Sequence, residues 1–275
     1  MKSAIALLIM TTGTAALAAA DKDADTLRIS WKDRMLTIRS DRLPGGKVDV
    51  WYLEAFCRRG STDRDWPKTV ISFEMRLIAA DRGGKWLKLK SMTAGKVEGM
   101  HEIRAGVDEI DFRLTFTNKS DEAVDIDWAQ PCMRVSDFTG RGQDDYFEKC
   151  FLFTEKGLVR MPQTHRETKA RYTPGQVYVP AGIDLNDVNP RPISGTKPIN
   201  GLVGCFSADE KMILAMAWDN TQELFQGVIV CIHNDFRIGG LKPRETKKLR
   251  GKIYIVENDV EKLLKRYRQD FPPSR

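Results

Sequence analysis

The feature that most constrains this chain is a strict alternation of apolar and polar side chains. In Ile110-Asp111-Phe112-Arg113-Leu114-Thr115-Phe116 every second residue is apolar. Successive side chains of an extended strand point to opposite faces, so this run makes a strand with one face for a core and one for solvent. Val124, Ile126 and Trp128 repeat the pattern after the turn residues Asn118-Lys119-Ser120-Asp121, which predicts an antiparallel hairpin. Comparable runs at 27–31, 36–38, 48–56, 71–77 and 87–89, and again at 201–206, 213–218, 228–232 and 249–256, give at least ten strands. Gly, Asp, Asn and Pro turn signals separate them, and the fold class that follows is all-β, a large antiparallel β-sandwich. One helix is expected, at 258–270, with Asn258 as its cap, Glu261 completing a capping box, and Val260, Leu263, Leu264 and Tyr267 on one face against a sheet edge.

Residues 1–20 read as an export signal: Met1-Lys2 supplies a positive start, Ala4 to Met10 an apolar stretch, and Ala16-Leu17-Ala18-Ala19-Ala20 a small-residue cleavage zone. A membrane span needs roughly 20 apolar residues. Thr11-Thr12-Gly13-Thr14 interrupts the run, so no membrane span is expected after cleavage of the signal. The protein is therefore expected outside the cytoplasm, periplasmic or secreted. Residues 21–275 are expected to form a single β-sandwich domain, in which 161–200 is a long loop rich in Pro, Arg, Asn and Asp.

The formal net charge is +6, with both signs mixed along the chain rather than in blocks. That argues against nucleic acid as a partner and is compatible with an anionic ligand. Five cysteines follow the signal, an odd number, so at least one thiol stays unpaired within the chain. Cys205 and Cys231 sit in apolar runs and read as small buried hydrophobes. His101, His165 and His233 are far apart with no metal-binding spacing, so neither a metal site nor a cofactor is expected.

Four groups of residues can carry chemistry. The loop after strand 48–56 packs Arg58, Asp63, Arg64 and Trp66 together: arginine forks hold carboxylate or sulfate, Asp accepts from hydroxyls, and Trp stacks on a sugar ring. The same residues also make an ion-pair network that merely orders a loop. Gln130 and Arg134 flank Pro131 at the expected end of strand 124–128, where side chains reach a rim, although Trp128 can equally be core. In the long loop, Arg171 and Tyr172 lead to Asp187, Asn189 and Arg191, which suit acid–base chemistry or simply turns. Glu223 and His233 flank the expected strand 228–232, which would separate them by roughly 30 Å. His233 shares a strand face with Asp235, the arrangement of an oriented base or of an ordinary hydrogen-bonded histidine.

There is no G-x-S-x-G, no P-loop and no G-x-G-x-x-G, which removes serine hydrolases, nucleotidases and dehydrogenases from consideration. The order of hairpin, Asn-Lys-Ser-Asp turn and aromatic-Ala-Gln-Pro, followed by Leu241-Lys242-Pro243-Arg244-Glu245-Thr246 before a last strand, resembles the galactose mutarotase-like super-sandwich over roughly 27–256. The resemblance implies sugar binding across the concave face of one sheet. Epimerases of that fold place a His after the strand that corresponds to 124–128; here Gln130 stands nearest, and Gln cannot shuttle a proton. The chain also resembles small exported bacterial proteins from organisms rich in polysaccharide-degrading systems.

The expectation is thus an exported carbohydrate-recognising sandwich with an anionic sugar held by Arg58, Arg64 and Arg134. Lyase or hydrolase chemistry would rest on Asp63, Asp187, Asp235 or His233. The alternative is a non-catalytic module for sugar binding or for interaction in the cell envelope.

Overall fold

The alternating run at 110–116 lies in strand β8 (Glu109–Asn118), where Ile110, Phe112, Leu114 and Phe116 are buried and Arg113 is exposed. The structure, a computed structural model, describes residues 26–272, so the export signal expected at 1–20 lies outside the described residues. Two antiparallel sheets face each other. The larger runs β11 (Gly157–Arg160), β10 (Cys150–Thr154), β13 (Val203–Phe206), β14 (Met212–Trp218), β17 (Thr246–Glu257), β8, β7 (Val97–Ala105), β6 (Trp86–Thr93) and β5 (Phe73–Ala80). The smaller runs β1 (Arg28–Lys32), β2 (Met35–Arg39), β3 (Lys47–Cys57), β9 (Trp128–Arg134), β16 (Cys231–Arg237), β15 (Thr221–Gln226) and β12 (Gln176–Tyr178), with β4 (Val70–Ile71) paired to β3. The β-sandwich read from the alternation is the observed fold.

The core lies between the sheets. Phe116 of β8 meets Phe56 of β3 and Phe236 of β16 with ring centroids 5.8 Å and 6.4 Å apart, and Trp218 of β14 stacks on Phe236 at 4.4 Å. The run Met212–Trp218 is apolar throughout because β14 is covered on both faces. Leu214, Met216 and Trp218 join the inter-sheet core, and Ile213, Ala215 and Ala217 join a second cluster with Leu263 and Leu264. That second cluster corrects the expected placement of the C-terminal helix (Val260–Asp270): it packs on the outer face of the larger sheet, not on an edge. Its cap is Asp259, whose carboxylate accepts from the Lys262 N–H at 2.9 Å, one residue beyond the expected Asn258.

Three further expectations are corrected. Strands 110–116 and 124–128 form no hairpin: β8 pairs with β7 and β17, Val124 makes only an isolated bridge to Leu241, and the chain crosses to the smaller sheet as β9. Pro131 ends no strand. It sits inside β9 opposite residues 52–54, where a register shift in β3 interrupts the ladder, so its missing N–H costs no regular bond there. Residues 228–230 are the turn, not the strand, of a hairpin made by β15 and β16.

The outer face of the smaller sheet is roofed by 58–69 and by the stretches of 161–200 on either side of β12, which corrects the expected long loop by placing an edge strand of that sheet inside it. Asp187 fastens them at their root: its carboxylate accepts from the Gly60 N–H at 2.9 Å and lies 3.3 Å from the Arg237 guanidinium, which is also 3.3 Å from Asp127. Gln222 donates to the Asp187 carbonyl, and Ser61 and Thr62 donate to that of Val188. At the other end the roof is joined by an exposed pair, Arg171 with Asp65, at 3.0 Å. No helix among the described residues is long and apolar enough to cross a membrane.

Candidate functional site

Alternation again decides which side chains reach the roofed face. Ile232 and Phe236 of β16 enter the core, so Cys231, His233, Asp235 and Arg237 point outward. Ala129 and Met133 of β9 are core, leaving Trp128, Gln130 and Cys132 outward, and Leu224 of β15 leaves Glu223 and Phe225. Most outward faces of antiparallel sheets are solvated. Here the roof buries them, and a sheet face that carries acids, amides and thiols becomes a second, polar interior.

Beneath the roof lies a cavity of about 80 Å³. Glu54, Gln130, Cys231 and His233 form its floor, and Asn189 and Arg191 come down from the roof. Trp66, Tyr172 and the apolar Phe225, Val228 and Ile229 wall it. The two roof segments meet over it: the Trp66 N–H donates to the Tyr172 hydroxyl at 3.2 Å, and the Arg191 guanidinium stacks 5.4 Å from the Tyr172 ring centre. Arg191 is partly buried and makes no ion pair among the described residues.

Under the floor is a chain of ionisable groups. Glu223 and Asp235 stand opposite each other on the β15–β16 ladder, both fully buried. Burial, and then the facing Asp235, push the Glu223 carboxyl well above the usual range; one oxygen accepts from the Asn189 N–H at 3.0 Å. Burial also raises Asp235, to about 6, against the pull of His233, whose Nδ1 is 3.5 Å away. Gln130 donates to the other Asp235 oxygen at 3.3 Å. Burial opposes a charge on His233, but Cys132 and Asp235 outweigh it and raise its pKa well above the ordinary value. Cys132 is itself pushed up by contact with Cys231 and by burial, against the pull of His233.

Histidine spacing alone predicts no metal ligands, yet the fold brings the thiols of Cys132 and Cys231 and the imidazole of His233 within 4.8 Å of one another. The signal in the sequence is Cys-x-His on one strand beside a Cys on the next, 99 residues away in the chain. Cys231 is therefore no inert hydrophobe. All five cysteines are buried and free.

The structure gathers Trp66, Gln130, Tyr172, Asn189, Arg191 and His233 at one cavity, with Glu223 and Asp235 directly behind. Glu223 and His233, expected at opposite ends of one strand, are neighbours on the two arms of a hairpin, Phe225 lying opposite His233. The remaining candidates lie elsewhere. Asp63, Arg64 and Arg171 line an open surface hollow with Asp65, and Arg58 borders neither. Arg134 lies 5.9 Å from the Trp51 ring centre, and Asp187 is the structural fastening of the roof. The expected trio of Arg58, Arg64 and Arg134 therefore does not converge on the cavity; Arg191 is the cation that does. Sequence reasoning missed Glu54, a lone charge in the apolar half of β3, and Cys132.

No protein-family model matches the chain, and no curated protein does. Among solved structures it is similar to a galactose mutarotase related enzyme from Lactobacillus acidophilus (TM-score 0.43, 9% identity, 85% of this chain and 98% of that one). It is also similar to the galactose 1-epimerase of that organism (TM-score 0.33, 10% identity, 85% and 98%). A polysaccharide lyase matches over 87% of this chain and 34% of its own, with TM-score 0.35 and 11% identity. The likeness is to galactose mutarotase-like structures. The residues of the cavity are read from this structure alone.

Proposed function

We propose that the chain is an exported carbohydrate-recognising protein that takes an acidic sugar unit into the roofed cavity of the smaller sheet. The observation that carries this reading is Arg191: a partly buried guanidinium, stacked on Tyr172 at the polar cavity, that makes no ion pair among the described residues and feels Glu54 only at longer range. A uronate carboxylate supplies the missing partner. Trp66 and Tyr172 offer faces for the ring, and Gln130 and Asn189 offer groups for its hydroxyls. A volume of about 80 Å³ holds two or three waters at ~30 Å³ each, so one edge of a sugar enters and the remainder lies across the mouth.

If the site turns its ligand over, elimination suits it better than hydrolysis. A hydrolase needs two carboxyl groups on either side of the bond, whereas Glu223 and Asp235 are sealed under the floor and only Glu54 faces the cavity. In an elimination Arg191 neutralises the uronate, Glu54 takes the proton from C5, and the C4–O4 bond breaks to leave a C4=C5 double bond, Glu54 passing that same proton on to the departing O4. The second reading is a purely binding module, favoured by that same sealing of Glu223 and Asp235.

The test is a panel of neutral and uronate-containing oligosaccharides, followed by calorimetry and by the ultraviolet absorbance of the unsaturated product. Binding of acidic glycans that Arg191→Gln weakens at least tenfold supports the proposal, and an absorbing product assigns the lyase. Binding without product assigns the module. No binding to any glycan, or equal binding by Arg191→Gln, refutes it.

A further inference from the structure

We propose that Cys132, Cys231 and His233 form a three-ligand zinc site whose fourth position opens into the cavity. Cys132 of β9 and His233 of β16 are directly opposite in the ladder, and Cys231 is two residues before His233 on the same face, so three ligating side chains stand at the corners of a triangle on two adjacent strands. Their ligand atoms all lie within 4.8 Å of one another, with Cys231 Sγ 3.2 Å from His233 Nε2. A tetrahedral zinc with bonds of about 2.3 Å to sulfur and about 2.0 Å to nitrogen separates its ligands by roughly 3.5–3.8 Å, so small side-chain movements complete the geometry.

The surroundings supply what such a site needs. The nitrogen of His233 turned away from the thiols faces Asp235 at 3.5 Å, and among the described residues neither that Nδ1 nor the facing Asp235 oxygen makes a hydrogen bond, so each is free to complete one with the other. Zinc-bound histidines donate their free N–H to a carboxylate in this way, which fixes the ring. Gln130 in turn holds the second Asp235 oxygen. Two thiolates balance the charge of a zinc ion, so the loaded centre adds no net charge to a buried face. Cys231 and His233 line the cavity, and Glu54 approaches Nε2 to 4.0 Å, which leaves the fourth position for water, Glu54 or a ligand oxygen. Three protein ligands and one open position is the pattern of zinc that does chemistry rather than zinc that only holds a fold. The pair Cys150 and Cys205 also face each other across a ladder, but with no imidazole in their cluster.

The experiment loads the full chain with zinc, measures metal per chain by mass spectrometry, then exchanges zinc for cobalt(II) and records the absorption spectrum. The proposal expects one metal per chain and the thiolate-to-cobalt charge-transfer band with intense tetrahedral d–d bands. Cys132→Ser and Cys231→Ser are expected to lose the charge-transfer intensity, while Cys150→Ser keeps it. Asp235→Asn is expected to weaken zinc about 10- to 100-fold without changing the ligand set, a readout that stands even where a cysteine variant fails to fold. Absence of the cobalt spectrum in the wild-type chain, a Cys132–Cys231 disulfide in the purified protein, or unchanged zinc affinity in Asp235→Asn would overturn it. None of these readouts depends on sugar binding.

Discussion

Acidification tests the packing between the sheets through a single residue, His101. Its ring is fully buried, with Nδ1 2.9 Å from the Tyr52 hydroxyl, Nε2 3.0 Å from the Ser91 hydroxyl, and Phe116 edge-on at 5.5 Å. With no carboxylate among these neighbours to balance a charge, burial lowers its pKa from 6.5 to about 3. Between those values the unfolded chain binds a proton that the folded chain refuses, so His101 costs nothing above the upper value and stability falls as the pH drops toward the lower one. At about 1.36 kcal/mol per unit, going from about pH 7 to about pH 4.5 removes about 2.5 kcal/mol, or a shift of about 0.8 M in a urea midpoint for a slope of about 3 kcal/mol per M. Other groups titrate in the same range, so the assay is a difference: urea unfolding of wild type and His101→Gln at both pH values. Gln keeps polar contacts to Tyr52 and Ser91 but takes up no proton. The stability gap between the two proteins should shift by about 2.5 kcal/mol in favour of the variant at the lower pH. A gap that does not change with pH would refute the assignment of His101 as a neutral core residue.

Three other outcomes follow from the same structure. Glu223→Gln should be more stable than wild type at neutral pH and lose that advantage toward the ordinary carboxyl value of 4.5, because the raised pKa makes wild type lose stability as pH rises above it; a pH-independent difference in urea midpoint would count against this. Asp187→Ala should cost about 2 kcal/mol by stripping partners from buried polar groups, and limited proteolysis should then cut within 58–69 or 161–200; an unchanged digest would deny Asp187 its fastening role. Gly251→Ala should destabilise by roughly 1–3 kcal/mol through overpacking, since the added Cβ would lie 2.2 Å from the Trp218 ring; thermal melting reads it, and a neutral result would show that Trp218 has room to move.

The fold was legible wherever a strand has one dry and one wet face. Ile110 to Phe116 is such a case, and so are β1, β2 and β6. Reading failed where both faces are dry. The string Gly227 to Ile232 looks like a strand because Val228, Ile229 and Val230 are apolar, yet they form a turn whose side chains help to wall the cavity or pack on the core. The true strands beside it, Thr221–Gln226 and Cys231–Arg237, look too polar for a sheet interior. Their acids, amides and histidine are buried by a roof that comes from elsewhere in the chain, and no local pattern announces a roof. For the same reason the arginines of the 58–64 loop stand out by density, while Glu54 and Cys132 matter by where their strands carry them and Arg191 by where the roof sets it down.

The roof is held very unequally along its length. At one end Asp187, Gln222 and Arg237 lock it in a dry, multiply bonded joint. At the other, Arg171 and Asp65 meet in open water, where such a pair contributes about 1 kcal/mol or less. A joint built this way is expected to part first at its wet edge, between Arg171 and Asp65, while the buried end at Asp187 stays shut. Added salt, which screens the exposed pair far more than the buried one, should therefore loosen the roof at that edge first, and limited proteolysis near 65 and 171 at rising ionic strength checks it.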